Sequence, residues 1–218
     1  LRNSIFVDIT ANEEVSGWYS QYLRHSISVV ACNKIACSSS YESYKNLHYL
    51  ASKYNASFLY ETNVGAGLPI INTLNNLVAS GDKVTSIRAV LSGSLNFVFN
   101  NFSDRTNFHD TVKRAQFEGY TEPDPRIDLS GIDVARKILI LARENGGEME
   151  IENIKNESFL TKANLESDSV DDFYDTLKED ESHFQAIYAS AKENNCQLKY
   201  VAEFKDGNGK VGLQEIPE

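Results

Sequence analysis

Short β-rich runs alternate with segments of helical period over residues 1–61, capping-box spacings stand at two helix starts, and a D-G-N-G turn separates two β-rich runs near the end. These observations predict an α/β chain: the second half of a Rossmann-type parallel sheet, followed by an α+β domain with a mixed sheet. The expected division is residues 1–62 for the partial sheet domain and 63–218 for the second, which is expected to be truncated at its C-terminus.

The first unit is built from Ile5-Phe6-Val7-Asp8-Ile9, Ile27-Ser28-Val29-Val30-Ala31 and Phe58-Leu59-Tyr60 as strands. Between them Val15, Trp18, Tyr19, Tyr22 and Leu23, then Tyr44, Leu47, Leu50, Ala51 and Tyr54, recur with helical period. Thr10 with Glu13 and Ser39 with Glu42 are spaced to cap these helices. A β-α-β-α-β order implies parallel pairing with right-handed crossovers. Ligands of such sheets gather beyond the carboxyl ends of the strands, where Thr10 and the pair Asn33-Lys34 stand; a cofactor role and a plain cap or surface cation both fit them. Gly17 is the only glycine before Gly65 and no G-x-G-x-x-G occurs, so the glycine-rich first half of a dinucleotide fold is expected to be missing.

Glu61 to Pro69 then brings a glycine pair, which could aim carbonyl oxygens at a hard cation or serve simply as a turn. Pro69 suits the first turn of a helix through Ile70, Leu74 and Val78 to Gly81. Val84 to Ser94 reads as a strand, and its terminal hydroxyls meet a helix starting at Leu95. Asn107 to Glu118 is a helix closed by Gly119. Residues 150–180 are acidic and weakly patterned, consistent with two short elements and a surface excursion. Ser182 to Asn195 is a helix, Leu198 to Phe204 a strand, and Asp206 to Gly209 turns the chain into a partner strand from Val211.

The densest chemistry lies in G-Y-T-E-P-D-P-R-I-D-L-S-G-I-D-V-A-R-K, residues 119–137. Prolines after Glu122 and Asp124 bias both acids toward extended backbone and fix where they are presented. Ser130 with Asp133 reads as an N-cap, so a helix starts near Gly131 and sets Asp133 and Lys137 one turn apart on one face. That face is expected to turn toward the acidic loop and surround an amine with carboxylates. A solvated ion pair at a loop-helix junction and a small-molecule site both fit this pattern.

Twenty-one basic against 31 acidic residues give a net charge of −10, which disfavours nucleic acid and anionic membranes as partners. With 41% apolar residues the chain can bury a core. No apolar run reaches the roughly 20 residues of a membrane span and the start lacks a signal-peptide pattern, so a cytoplasmic location is expected. Cys32, Cys37 and Cys196, odd in number and without metal-type spacing, are expected to be reduced and mostly buried.

E-T-N-V-G-A-G-L-P at residues 61–69, L-S-G-S-L at 91–95 and G-Y-T-E-P-D-P-R-x-D-L-S-G-x-D-V-A-R-K at 119–137 resemble homoserine dehydrogenase, in the form fused to aspartokinase. The likeness runs from V-D-I-T-A-N at residue 7 to about residue 145, then more loosely to the end. It implies reduction of L-aspartate 4-semialdehyde to L-homoserine with the reduced form of NADP or NAD as hydride donor, in threonine and methionine biosynthesis. By the resemblance the catalytic residues are Lys137, the proton donor, with Asp133 and the supporting carboxylate Asp128 in the same pocket, and Glu122 and Asp133 bind substrate. Ser94 and Tyr120 line the substrate, Thr10, Lys34 and Gly119 contact the cofactor, and main-chain oxygens of Glu61, Val64, Ala66 and Leu68 hold sodium. Cys32 stands where relatives have proline and Ile35 where many have a second lysine. A part-domain exposes sheet edges and apolar surface, so a homodimer or higher homo-oligomer is expected, and the resemblance implies a possible upstream kinase. The alternative of another class is a non-catalytic assembly and dimerisation module that binds no dinucleotide in isolation.

Overall fold

The computed structural model describes residues 3–217, which form two compact units. One takes residues up to Ile87 with Arg136–Ile154 and Phe204–Gly209; the other takes Arg88–Ala135, Lys155–Glu203 and residues from Lys210 onward.

In the first unit β1 (Ile5–Asp8) leads through α1 (Glu13–Gly17) and α2 (Tyr19–Arg24) to β2 (Ser28–Ala31). Next come α3 (Ile35–Ser38), α4 (Tyr41–Lys53), β3 (Phe58–Leu59) and, after a turn of 3-10 helix at Glu61–Asn63, α5 (Ile70–Ala79). The sheet is parallel in the order β1-β2-β3, as expected for half of a doubly wound sheet. Alternation explains its two faces. Val29 and Phe58, paired in register, are buried together with Tyr19, Leu23, Leu47 and Leu50 of α2 and α4. On the other face Val7, Val30 and Leu59 form one row, and Val7 and Leu59 are exposed along with Ile5 and Ile9.

Both expected caps move by a residue or two. Thr10 does not cap α1: its hydroxyl accepts the Asn12 N–H, and Asn12 is the cap, accepting from Val15 N. Ser40, not Ser39, caps α4 by accepting from Ser43 N. The single helix expected over residues 15–23 is two, because Ser16 and Gly17 are weak helix formers and the chain tightens at Trp18. Only Cys37 of the three thiols is buried; Cys32 is exposed just past the last residue of β2, and Cys196 is half-buried.

β4 (Ser86–Ala89), with which the chain passes from the first unit to the second, is shorter than expected, because Ser92 is already the cap of α6 (Gly93–Asn101). α7 (Phe108–Phe117) ends in a Schellman motif, Tyr120 N to Ala115 O and Gly119 N to Gln116 O, with Gly119 at φ +78. The acidic segment is not extended throughout. Asp124 caps a helix the pattern did not announce, α8 (Pro125–Leu129), with proline at its first position. Ser130 closes α8 as its C-cap, Gly131 turns the chain at φ +73, and α9 (Ile132–Glu144) begins. At Gly131 a Cβ would lie 1.9 Å from the Tyr200 hydroxyl oxygen. That hydroxyl donates to Asn156 Oδ1, and Asn156 Nδ2 donates to Ser130 O. Close packing thus sets where α9 starts.

Residues 150–180 hold more than expected: β5 (Ile154–Glu157), α10 (Lys162–Leu165) and the ten-residue α11 (Val170–Glu179). β5 buries only Ile154, so it shows no alternation. α12 (Glu181–Glu193) lends the Glu181 carboxylate to the Phe108 N–H at the start of α7. β6 (Cys196–Lys205) and β7 (Asn208–Pro217) are joined by Asp206 and Gly207, both at positive φ as a type I′ turn requires. The sheet order is β4-β6-β7-β5. Phe108 stacks on Phe184 at 4.0 Å, and Phe99, Phe102 and Phe159 complete an aromatic core. No helix among the described residues is long and apolar enough to cross a membrane.

Candidate functional site

The candidate residues divide between the two units. In the first, the carboxyl ends of β1 and β2 meet at a carboxylate that pattern reading passed over. Asp8 is 1% exposed. Its Oδ1 accepts the Thr10 N–H at 2.8 Å, and its Oδ2 accepts the Tyr19 hydroxyl at 2.5 Å and the Asn33 amide at 3.1 Å. Asn33 also donates to Asn12 O and receives the Ile35 N–H. The network fixes the backbone on either side of both predicted cofactor contacts. Thr10 is exposed, and Lys34 stands half-buried as the N-cap residue of α3. The one signal for Asp8 was an acid inside a β-rich run.

Burial opposes the charged form of Asp8, yet the Tyr19, Thr10 and Asn33 hydrogen bonds outweigh it and hold the carboxyl below its ordinary value of 3.8. A depressed folded value means stabilisation present above pH 3.8 and lost as pH falls through the folded one. Asp8→Asn is therefore expected to cost about 1–3 kcal/mol near neutral pH and progressively less in acid. Equal losses in urea unfolding at about pH 7 and about pH 3 would refute the carboxylate's part.

The 61–69 loop turns through Gly65 and Ala66 at φ +83 and +53. Val64 is buried, while Ala66 and Leu68 are exposed. The Glu61 carboxylate caps α5, receiving the Ile71 and Asn72 N–H groups at 2.9 and 2.8 Å. Among the described residues no group of three or more His, Cys, Asp or Glu side chains could hold a metal.

In the second unit Asp128 gathers two predicted residues. Its Oδ1 accepts the Ser94 hydroxyl at 2.8 Å and its Oδ2 the Glu122 N–H at 2.9 Å. Ser94, 7% exposed at the first turn of α6, is 3.0 Å from the hydroxyl of Ser92, whose Oγ also receives the Leu95 N–H. The Glu122 side chain is exposed. Asp124 is drawn inward as a structural group: Arg126 grips both its oxygens through Nε and Nη2 and donates from Nη1 to Ser167 O. The Arg126 bond comes first among the causes that hold the Asp124 carboxyl below its ordinary range. Tyr120 is half-exposed and stacks on Phe97 at 4.0 Å, next to Gly119 at the end of α7.

α9 carries Asp133 and Lys137 one turn apart, both half-buried, on a helix whose Val134, Ala135, Ile138, Leu139, Ile140 and Ala142 are sealed in the core. Chemically, Asp128 with Ser94 and the Glu122 main chain presents a carboxylate, a hydroxyl and an ordered loop, and α9 separately carries a carboxylate at Asp133 and an amine at Lys137.

A family model described as homoserine dehydrogenase matches residues 69–218, and one described as homoserine dehydrogenase, NAD binding domain, matches residues 1–61. The bifunctional aspartokinase/homoserine dehydrogenase of Haemophilus influenzae is 41% identical over 98% of this chain, and the bifunctional aspartokinase/homoserine dehydrogenase 2 of Escherichia coli is 38% identical over 98%. The chain spans 26% of the length of each of these curated relatives. Among solved structures, a Candida auris protein of unknown function is similar with a TM-score of 0.92 at 35% identity, over 98% of this chain and 62% of that one. A hyperthermophilic archaeal homoserine dehydrogenase in complex with NADPH gives 0.72 at 25% identity, over 98% and 56%. On these matches, which together take in nearly its whole length, the chain belongs to the homoserine dehydrogenase family, a family of oxidoreductases.

Proposed function

We propose that this chain is the catalytic part of an enzyme that reduces L-aspartate 4-semialdehyde to L-homoserine with NADPH or NADH. The observation that carries the reading is the Asp128 carboxylate holding the Ser94 hydroxyl and the Glu122 main chain, just ahead of the helix that bears Asp133 and Lys137. Glu122 and Asp133 bind the substrate's ammonium, and Ser94 and Tyr120 line the rest of it. Lys137 delivers a proton to the carbonyl oxygen as charge builds there, and Asp128 keeps the donor's surroundings ordered. A bound reduced nicotinamide supplies the hydride. Thr10, Lys34 and Gly119 contact that cofactor; the lysine cation and the Asp8-Asn33 network at the strand ends fit a phosphate-bearing group.

Sodium on the main-chain oxygens of Glu61, Val64, Ala66 and Leu68 belongs to the same reading. It is supported by the tight turn at Gly65 and Ala66 and by the commitment of the Glu61 carboxylate to α5. Residues 1–62 then act as the cofactor half-domain and 63–218 as the substrate-binding and dimerisation domain of a cytoplasmic homo-oligomer, with a kinase as a possible fusion partner.

The test is homoserine-dependent reduction of NADP by the full-length protein. No turnover with either nicotinamide cofactor would overturn the reading. The second reading, an assembly module, is favoured for the isolated 218-residue chain by the exposed row on the sheet's outer face, Ile5, Val7, Ile9 and Leu59. Titration with NADPH separates the two: weak or absent binding is expected for this chain by itself, and binding in the micromolar range would contradict it.

A further inference from the structure

The 119–131 segment is braced from outside by a relay that uses α11. Tyr174, 8% exposed on α11, donates its hydroxyl to Gln116 Oε1 at 2.9 Å. Gln116 Nε2, in the last turn of α7, donates to Pro123 O at 2.7 Å. A carbonyl only accepts, so the Gln116 amide faces Pro123 with its nitrogen and the phenol with its oxygen. The Tyr174 ring is held by the His109 edge at 5.3 Å, with Lys113 Nζ 5.9 Å from its centroid. Burial, then the charge of Asp124, pushes the phenol up to about 12, so it remains a donor across neutral pH.

We infer that Gln116 is a positioning residue for Glu122. The main chain is gripped on both sides of that carboxylate, at the Glu122 N–H by Asp128 and at the next carbonyl by Gln116. The substrate's ammonium therefore meets an acid whose backbone is fixed, although its side chain is exposed. Arg126 ties the same segment to Ser167 independently, so loss of the relay loosens the loop without melting it. The inference rests on the proposed role of Glu122 in substrate binding.

The test uses Gln116→Glu and Tyr174→Phe in the full-length protein. Gln116→Glu keeps an acceptor for the phenol and sets a carboxylate oxygen against Pro123 O. It is expected to raise KM for homoserine about 10-fold, with kcat and KM for NADP within about twofold of the parent. Tyr174→Phe should act in the same direction by about threefold, and the double variant should match Gln116→Glu alone, because both changes cut one relay. Hydrogen exchange at the Glu122 amide should quicken in both variants while the helix cores keep their protection. Unchanged exchange at Glu122, or unchanged KM in both variants, would overturn the inference. Should Gln116→Glu fail to fold, Tyr174→Phe decides by the same two readouts. A full-length parent that oxidises no homoserine would sink the functional reading instead, and the exchange data would then decide the brace by themselves.

Discussion

Lys137→Ala in the full-length protein is expected to lower the turnover of semialdehyde reduction by about 10²- to 10⁴-fold, the range lost with a positioned acid-base group. Hydride addition leaves negative charge on the carbonyl oxygen, and without a donor at hand that charge must find its proton from water. The fold should survive, because alanine is the best helix former and α9 keeps Ile138, Leu139 and Ile140 sealed in the core. Steady-state rates followed by NADPH absorbance, beside a circular dichroism spectrum matching the parent's, make the comparison. Turnover within about threefold of the parent would remove Lys137 from the chemistry.

The largest effect on stability is expected further along the same helix. The side chain of Arg143 is fully buried. Its guanidinium donates to Cys37 O at 2.8 Å, to Met149 O from both Nε and Nη2, and to Glu150 Oε2 at 3.1 Å, while lying over the rings of Tyr41 and Tyr44. Glu150 in turn accepts the Tyr41 N–H at the start of α4 through both carboxylate oxygens. Arg143→Met keeps the volume but strands two buried carbonyls and frees Glu150, for an expected loss of about 3 kcal/mol. Glu150 is half-exposed, so the ion pair is the minor part of that figure and the orphaned carbonyls the major part. Arg143→Lys should recover little, since an ammonium cannot span three acceptors with a planar fork. Urea unfolding measures it, and a loss below about 1 kcal/mol would show that the carbonyls find other donors.

Arg143 was invisible to pattern reading because it falls where a last-turn cation is ordinary, and nothing in its neighbours marks it as buried. Asp8 and Gln116 were missed for a related reason: their partners Tyr19, Asn33, Tyr174 and Pro123 stand 7 to 58 residues away, and periodicity reports only local neighbours. α8 was missed because a five-residue helix has too few positions to show a period, although Asp124-Pro125 is a proper cap and first turn. In α11, Ser169 and Asp172 gave a readable cap, but the acidic residues around Phe173, Tyr174 and Leu177 masked a three-residue stripe.

What the chain's own order of residues decided is the parallel β-α sheet, the I′ hairpin, the closing of α7 at Gly119 and the one-turn spacing of Asp133 and Lys137. Each depends on the side-chain period of a strand or helix or on the φ a glycine permits, and both are local properties. Only the tertiary structure decided that Ser94, Asp128 and Glu122 share hydrogen bonds, that Arg126 grips the Asp124 carboxylate, and that the Glu61 carboxylate caps a helix. Those assignments depend on which donor lies within about 3 Å of a given oxygen, and long-range packing alone sets that.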